Sequence, residues 1–89
     1  MKFEGTKRKL INFAKHGITF EETTTGFRDP LSVTAIDPDH SLNEKRFVTF
    51  GMSTNGVILQ VSHTERGESI RIISARAATK SETGIYEEG

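Results

Sequence analysis

Two tight links punctuate the second half of this chain. Asn55-Gly56 and Glu65-Arg66-Gly67-Glu68 each separate runs rich in strand-forming residues. A chain that reverses over so few residues pairs its neighbouring strands antiparallel, because parallel strands need a crossover of a dozen residues or more. The runs are Leu31–Ile36, Arg46–Gly51, Val57–Thr64 and Ser69–Ala75, and the first two are joined by the polar stretch DPDHSLNEK. Three successive short connections predict a four-stranded antiparallel meander.

Helical signals flank these runs. Over Lys7–His16, Leu10, Ile11, Phe13 and Ala14 fall on one side of a 100° wheel, with Arg8, Lys9, Asn12, Lys15 and His16 on the other. Gly17 follows, which suits the left-handed residue that ends a helix. Thr19-Phe20-Glu21-Glu22 has the spacing of a capping box, so a second, short helix is expected from Phe20, ending before Asp29-Pro30. Lys2–Glu4 reads as a lead-in strand, and a last helix is expected from about Arg76 to Tyr86. The expected fold is therefore α+β, one domain over residues 1–89: two N-terminal helices, a four-stranded meander sheet and a C-terminal helix. The helices are expected on one face of the sheet, leaving the second open or lent to a partner.

Composition sets limits on function. Eighty-nine residues with 34% apolar content support one core but no deep cofactor pocket, so no cofactor is expected. The chain has no cysteine, which excludes disulfides, thiolate metal sites and cysteine nucleophiles. No apolar run approaches the ~18 residues of a membrane span, and the N-terminus lacks the apolar stretch of a signal peptide. A cytoplasmic location without membrane contact is the expectation. Net charge is zero, yet residues 1–17 hold five cations against one anion, and residues 63–80 hold four against two. The remainder is acidic, so two basic segments stand near opposite ends of the chain.

The second basic segment, HTERGESIRIISAR, carries Arg66, Arg71 and Arg76. Arginine forks suit phosphate oxygens, although the same residues also read as ordinary solvated charges. Strict alternation puts Arg71 and Arg76 on opposite faces of a strand. They flank one site only if the chain turns near Ser74 or contains a bulge. His16, His40 and His63 are the candidate proton carriers. Their separations match no metal motif, so no metal site is expected. His63 alternates with Val57, Leu59 and Val61, which predicts a half-buried position beside the core. No Walker loop, G-x-G-x-x-G, G-x-S-x-G or H-E-x-x-H sequence occurs.

Several stretches together resemble the BrnT-type toxin family. Lys15-His16-Gly17-Ile18-Thr19-Phe20-Glu21-Glu22 resembles its K-H-G-[IV]-[ST]-F-E-E signature, and Phe27-Arg28-Asp29-Pro30 its F-x-D-P. Asp39-His40-Ser41 with Glu44 and Arg46 is similar to its D-H-S-x-x-E-x-R loop. His63-Thr64-Glu65-Arg66-Gly67 and Arg71-Ile72-Ile73-Ser74-Ala75-Arg76 resemble its [HY]-T-E-R-G and R-I-I-S-A-R. The resemblance implies a RelE-like fold and a ribonuclease that arrests translation as the toxin of a type II toxin–antitoxin pair. It implies a BrnA-like antitoxin as partner, RNA as substrate and operator DNA reached only through the antitoxin. A homodimer is a further assembly to test.

Metal-free RNA cleavage needs a proton removed from the 2′-hydroxyl, one delivered to the leaving 5′-oxygen, and stabilisation of the phosphorane charge. Arg71 and Arg76 are assigned to the charge, Lys15, Arg46 and Arg66 to flanking phosphates, and His16 or His40 to the protons. The family's Trp-Asp before the first helix stands here as Glu4-Gly5, and its basic pair in the last helix as Glu82-Thr83. A second reading is therefore a catalytically weak binding module that represses its operon together with the antitoxin.

Overall fold

The computed structural model describes residues 2–4, 17–37 and 45–89. The described elements are β1 (Lys2–Glu4), α1 (Phe20–Phe27), β2 (Val33–Ile36), β3 (Phe47–Met52), β4 (Ile58–Arg66), β5 (Ser69–Ala77) and α2 (Lys80–Glu88). The helix expected over residues 7–16 lies outside the described residues, so one of the two expected N-terminal helices is seen.

The meander is present: β2, β3, β4 and β5 pair antiparallel in sequence order. Gly56 and Gly67 carry the positive φ that its tight links need, +78° and +58°. The expected four-stranded antiparallel sheet is corrected in one respect. β1 lines up parallel to β5, which makes a five-stranded mixed sheet in the order β1-β5-β4-β3-β2. Phe3 then stands beside Ile70 and reaches the core.

The inner face of the sheet holds Leu59, Val61, Ile70, Ile72 and Ala75, all buried, with Ile18 over them and Phe3, Phe20, Phe27 and Val57 around them. Helix α1 packs here. Its N-cap is Thr19, whose hydroxyl accepts from Glu22 N–H at 3.0 Å. The Glu22 carboxylate does not close the reciprocal box; it accepts from Ser53 Oγ at 2.8 Å and ties the helix to the β3–β4 turn. Thr23, Thr24 and Thr25 are weak helix formers, and each returns its hydroxyl to a carbonyl one turn back, at 2.9, 2.7 and 2.6 Å. Gly26 lets this helix approach β3: a methyl group added at Gly51 would lie 2.2 Å from the Gly26 carbonyl oxygen.

His63 is more deeply placed than the expected half-buried position, at 1% exposure. Its ring lies edge-on to Phe27 and stacked on Phe47, with centroids 4.8 and 5.8 Å away. Nε2 meets Thr49 Oγ1 at 2.7 Å, and Thr49 Oγ1 meets Thr34 Oγ1 at 2.7 Å. The ladder therefore runs from a buried imidazole to the exposed edge strand. Nδ1 has no hydrogen-bond partner among the described residues. A proton on Nε2 leaves an acceptor rather than a donor unsatisfied, the cheaper arrangement. Burial lowers the imidazole pKa to about 4.

The C-terminal helix differs from expectation in start and side. β5 continues through Ala77, and α2 starts only at Lys80. Thr79-x-x-Glu82 forms a complete capping box that fixes this start. The helices do not share one face. Val33, Phe50, Gln60 and Arg76 form a cross-strand row on the outer face. α2 lies over that row, with Glu82 bonded to Arg76 and Gly89 against Val33. It buries no residue fully. Its far end is held by Asp29, which accepts from Tyr86 Oη, from Met52 N–H at 2.9 Å and from Leu31 N–H at 2.9 Å. The Tyr86 bond, followed by those from Met52 and Leu31, lowers the Asp29 pKa.

Two outcomes follow. Gly51→Ala should lose about 1–3 kcal/mol in urea unfolding, as overpacking against a backbone carbonyl does. Gly84→Ala, with open space at its Cβ position inside α2, should gain about 0.5–1 kcal/mol. Equal stability of the two variants contradicts the close helix–strand contact. For His63 the folded pKa of about 4 lies below the ordinary 6.5. The unfolded chain therefore takes up the proton first, and stability is full above pH 6.5 and falls as the pH drops. The loss due to this residue should be about 2 kcal/mol between pH 7.5 and 5. His63→Leu should flatten that slope, whereas an unchanged slope places the titration elsewhere.

Candidate nucleic-acid interface

The outer face of the β4–β5 hairpin is built by a single irregularity. Ser62 pairs with Ser74, but the next residue, His63, pairs with Ile72, so Ile73 is an extra residue in β5. A bulge of this kind shifts the alternation by one. Before it, Ile70 and Ile72 point inward and Arg71 outward. After it, Ala75 points inward and Ser74 and Arg76 outward. The two arginines that strict alternation separates thus share a face. Their Cα atoms are about 13–16 Å apart along a strand rising ~3.3 Å per residue.

Three cross-strand pairs make up this face: Thr64 with Arg71, Ser62 with Ser74, and Gln60 with Arg76; Thr64 itself is buried, at 3% exposure. It is polar along its length, opposite a hairpin face whose buried residues are apolar apart from His63. Ser62 and Ser74 supply hydroxyl groups between the two arginines and Gln60 an amide opposite Arg76, a donor set matched to phosphate and ribose oxygens.

Arg76 is held firmly. Its Nη1 and Nη2 donate to the two Glu82 oxygens at 2.7 and 2.9 Å, and Nη1 also donates to Ala77 O at 3.2 Å. The same Glu82 oxygen that takes Nη1 accepts from Thr79 N–H at 2.9 Å. The Arg76 bond is the main reason the Glu82 carboxyl is lowered to about 2, and Glu82 in turn raises Arg76. Of the five N–H groups of a guanidinium, these contacts occupy three. Among the described residues Nε–H and one Nη2–H have no partner, and they stand side by side as a second fork.

The other expected site residues are distributed as follows. Lys15, His16 and His40 lie outside the described residues. Arg66 ends β4, and its side chain is also outside the described part. Arg46 stands just before β3, half-buried, with its carbonyl accepting from Asp37 N–H at 2.8 Å. That position is two strands from β5, about 10 Å across the sheet. The structure therefore sets Arg71 and Arg76 on one face of the sheet and leaves Arg46 at the border. Gln60, Ser62 and Ser74 were not singled out from sequence. Their signal is the same alternation that marks the core, legible once the bulge is known. Among the described residues no group of three or more His, Asp or Glu side chains could hold a metal ion. Among them, too, no helix is long and apolar enough to cross a membrane.

Comparison with known proteins returns no match among curated proteins. The crystal structure of the Brucella abortus ribonuclease toxin, BrnT, at 1.1 Å resolution, is similar in fold, with a TM-score of 0.63 and 24% sequence identity. The alignment covers 90% of this chain and 99% of that one. A family described as "Ribonuclease toxin, BrnT, of type II toxin-antitoxin system" matches residues 5–82. With nearly its whole length matched, this chain belongs to the BrnT family of type II toxin–antitoxin ribonuclease toxins.

Proposed function

We propose that this chain is a RelE-like endoribonuclease that cleaves RNA without a metal ion, arrests translation and is neutralised by a BrnA-like antitoxin. The observation that carries the reading is the bulge at Ile73, which sets Arg71, Ser74 and Arg76 on one polar face. Cleavage by the 2′-hydroxyl passes through a phosphorane with added negative charge. Arg71 and the free fork of Arg76 supply the positive charge that stabilises it. Glu82 fixes the Arg76 guanidinium in place, so the fork needs no reorganisation when phosphate arrives. It also reduces the net charge there. Ser62 and Ser74 lie between the arginines and hold ribose or phosphate oxygens. The proton transfers fall to His16 or His40, with Lys15, Arg46 and Arg66 on flanking phosphates.

A second reading draws on the Arg76–Glu82 pair and on Thr83-Gly84 in α2. With one guanidinium half-neutralised and Lys80 the one cation of that helix, the chain would act as a binding module in a repressor complex with its antitoxin. RNA cleavage by purified protein in EDTA separates the two. Under the ribonuclease reading, Arg71→Ala and Arg76→Ala should each lower the cleavage rate by about 10²–10³-fold, the usual cost of removing one donor to a developing oxyanion. Circular dichroism should show both variants folded. Growth arrest on induced expression should weaken in parallel. Wild-type rates in both variants contradict the site, and no cleavage by wild-type protein favours the binding module.

A further inference from the structure

The sheet has a second surface that RNA cleavage leaves unused. Among the described residues β2 is an edge strand, paired with β3 on one side only. Asp37 N–H donates to the Arg46 carbonyl on the β3 side. Backbone groups alternate along a strand, so Val33 and Ala35 also face β3, whereas Thr34 and Ile36 turn their N–H and C=O outward. The stretch Val-Thr-Ala-Ile contains no charge and no proline. Thr34 and Ala35 are exposed, as are Ile36 at 55% and the nearby Leu31 at 69%. Apart from its shortness, this strand lacks the charges and proline that normally protect a sheet edge from other chains.

At the N-terminal end of the same edge lies a cleft of about 500 Å³ lined by Leu31, Met52, Tyr86 and Arg28, among others. Its polar floor, Asp29, is already satisfied by Leu31, Met52 and Tyr86. What it offers a ligand is apolar: Leu31 and Met52 are two of the large hydrophobic side chains most exposed among the described residues. Edge and cleft are continuous, since Leu31 stands two residues before Val33.

We propose that this edge and cleft receive an extended segment of the antitoxin. The segment adds a strand along Thr34–Ile36 and places an apolar side chain between Leu31, Met52 and Tyr86. The proposal rests on the toxin reading, which supplies a protein partner that must bind the folded chain. A second copy of this chain fits less well. Four residues of edge span about 13 Å, too short to provide the ~1,200 Å² of a stable interface by strand pairing alone. A flexible partner chain can follow the edge and also fill the cleft.

Amide hydrogen exchange tests this on the toxin alone and on its complex with its antitoxin, identified as the protein whose co-expression relieves growth arrest. Thr34 and Ile36 amides should exchange quickly in the free toxin and at least 100-fold more slowly in the complex. Ala35, bonded to β3, should be slow in both. Thr34→Pro, which removes an outward donor, should weaken complex formation at least 100-fold, whereas Thr34→Val, which keeps it, should not. Unchanged exchange at Thr34 and Ile36 on complex formation overturns the proposal, and does so even if Thr34→Pro fails to fold. Slow exchange in the free toxin together with a dimer in sedimentation assigns the edge to a second copy and also overturns it. RNA cleavage by the free toxin is scored separately. Partner protection without cleavage refutes the ribonuclease reading while leaving the docking edge standing.

Discussion

One extra residue in β5 decides what each face of this sheet can do. Without Ile73 out of register, a strand reading R-I-I-S-A-R would present one arginine to water and drive the other toward the core. Burying an unpaired guanidinium is far more costly than a local break in the ladder. The bulge resolves that conflict. Ile70, Ile72 and Ala75 stay inside, and Arg71, Ser74 and Arg76 stay outside. The polar interface and the apolar core are therefore two consequences of a single backbone irregularity.

The rest of the molecule braces this hairpin from both sides. On the inner face, Gly26 and Gly51 allow α1 to lie almost backbone to backbone on β3, while Phe27 and Phe47 enclose His63. That enclosure keeps the imidazole neutral and removes it from proton transfer at the surface. On the outer face, α2 has little burial of its own and is held by polar contacts at its two ends. Glu82 grips Arg76, and Tyr86 grips Asp29. Asp29 joins the end of α1, the end of β3 and α2 through three donors, which gives the Asp-Pro step a structural role rather than a chemical one.

Much of this architecture was legible in the sequence. Asn55-Gly56 and the Glu65–Glu68 turn dictated the meander, and Thr19-x-x-Glu22 marked the start of α1. The parallel pairing of β1 was not legible, because a three-residue strand carries no periodicity and its partner is far away in sequence. Placing α2 too early had a readable remedy: Thr79-x-x-Glu82 has the same capping pattern as Thr19-x-x-Glu22. The side on which α2 packs had none, since it depends on the register that sets Arg76 beside Gln60. The arginine pair was legible as residue types, and a bulge was one of the conditions named for it. Its position, between Ser74 and Ile72, goes with the burial of Ile72 and Ala75 on either side and not with any local turn signal.

The central claim is that the outer β4–β5 face, organised by the bulge, is where RNA lies. The most direct test is an NMR titration with a short RNA whose scissile 2′-hydroxyl is replaced by hydrogen, so that it binds without being cut. Amide signals of Gln60, Ser62 and Ser74 and the Nε–H signals of Arg71 and Arg76 should shift together and saturate together. Shifts confined to other surfaces, with these five residues unmoved at saturation, would contradict the account.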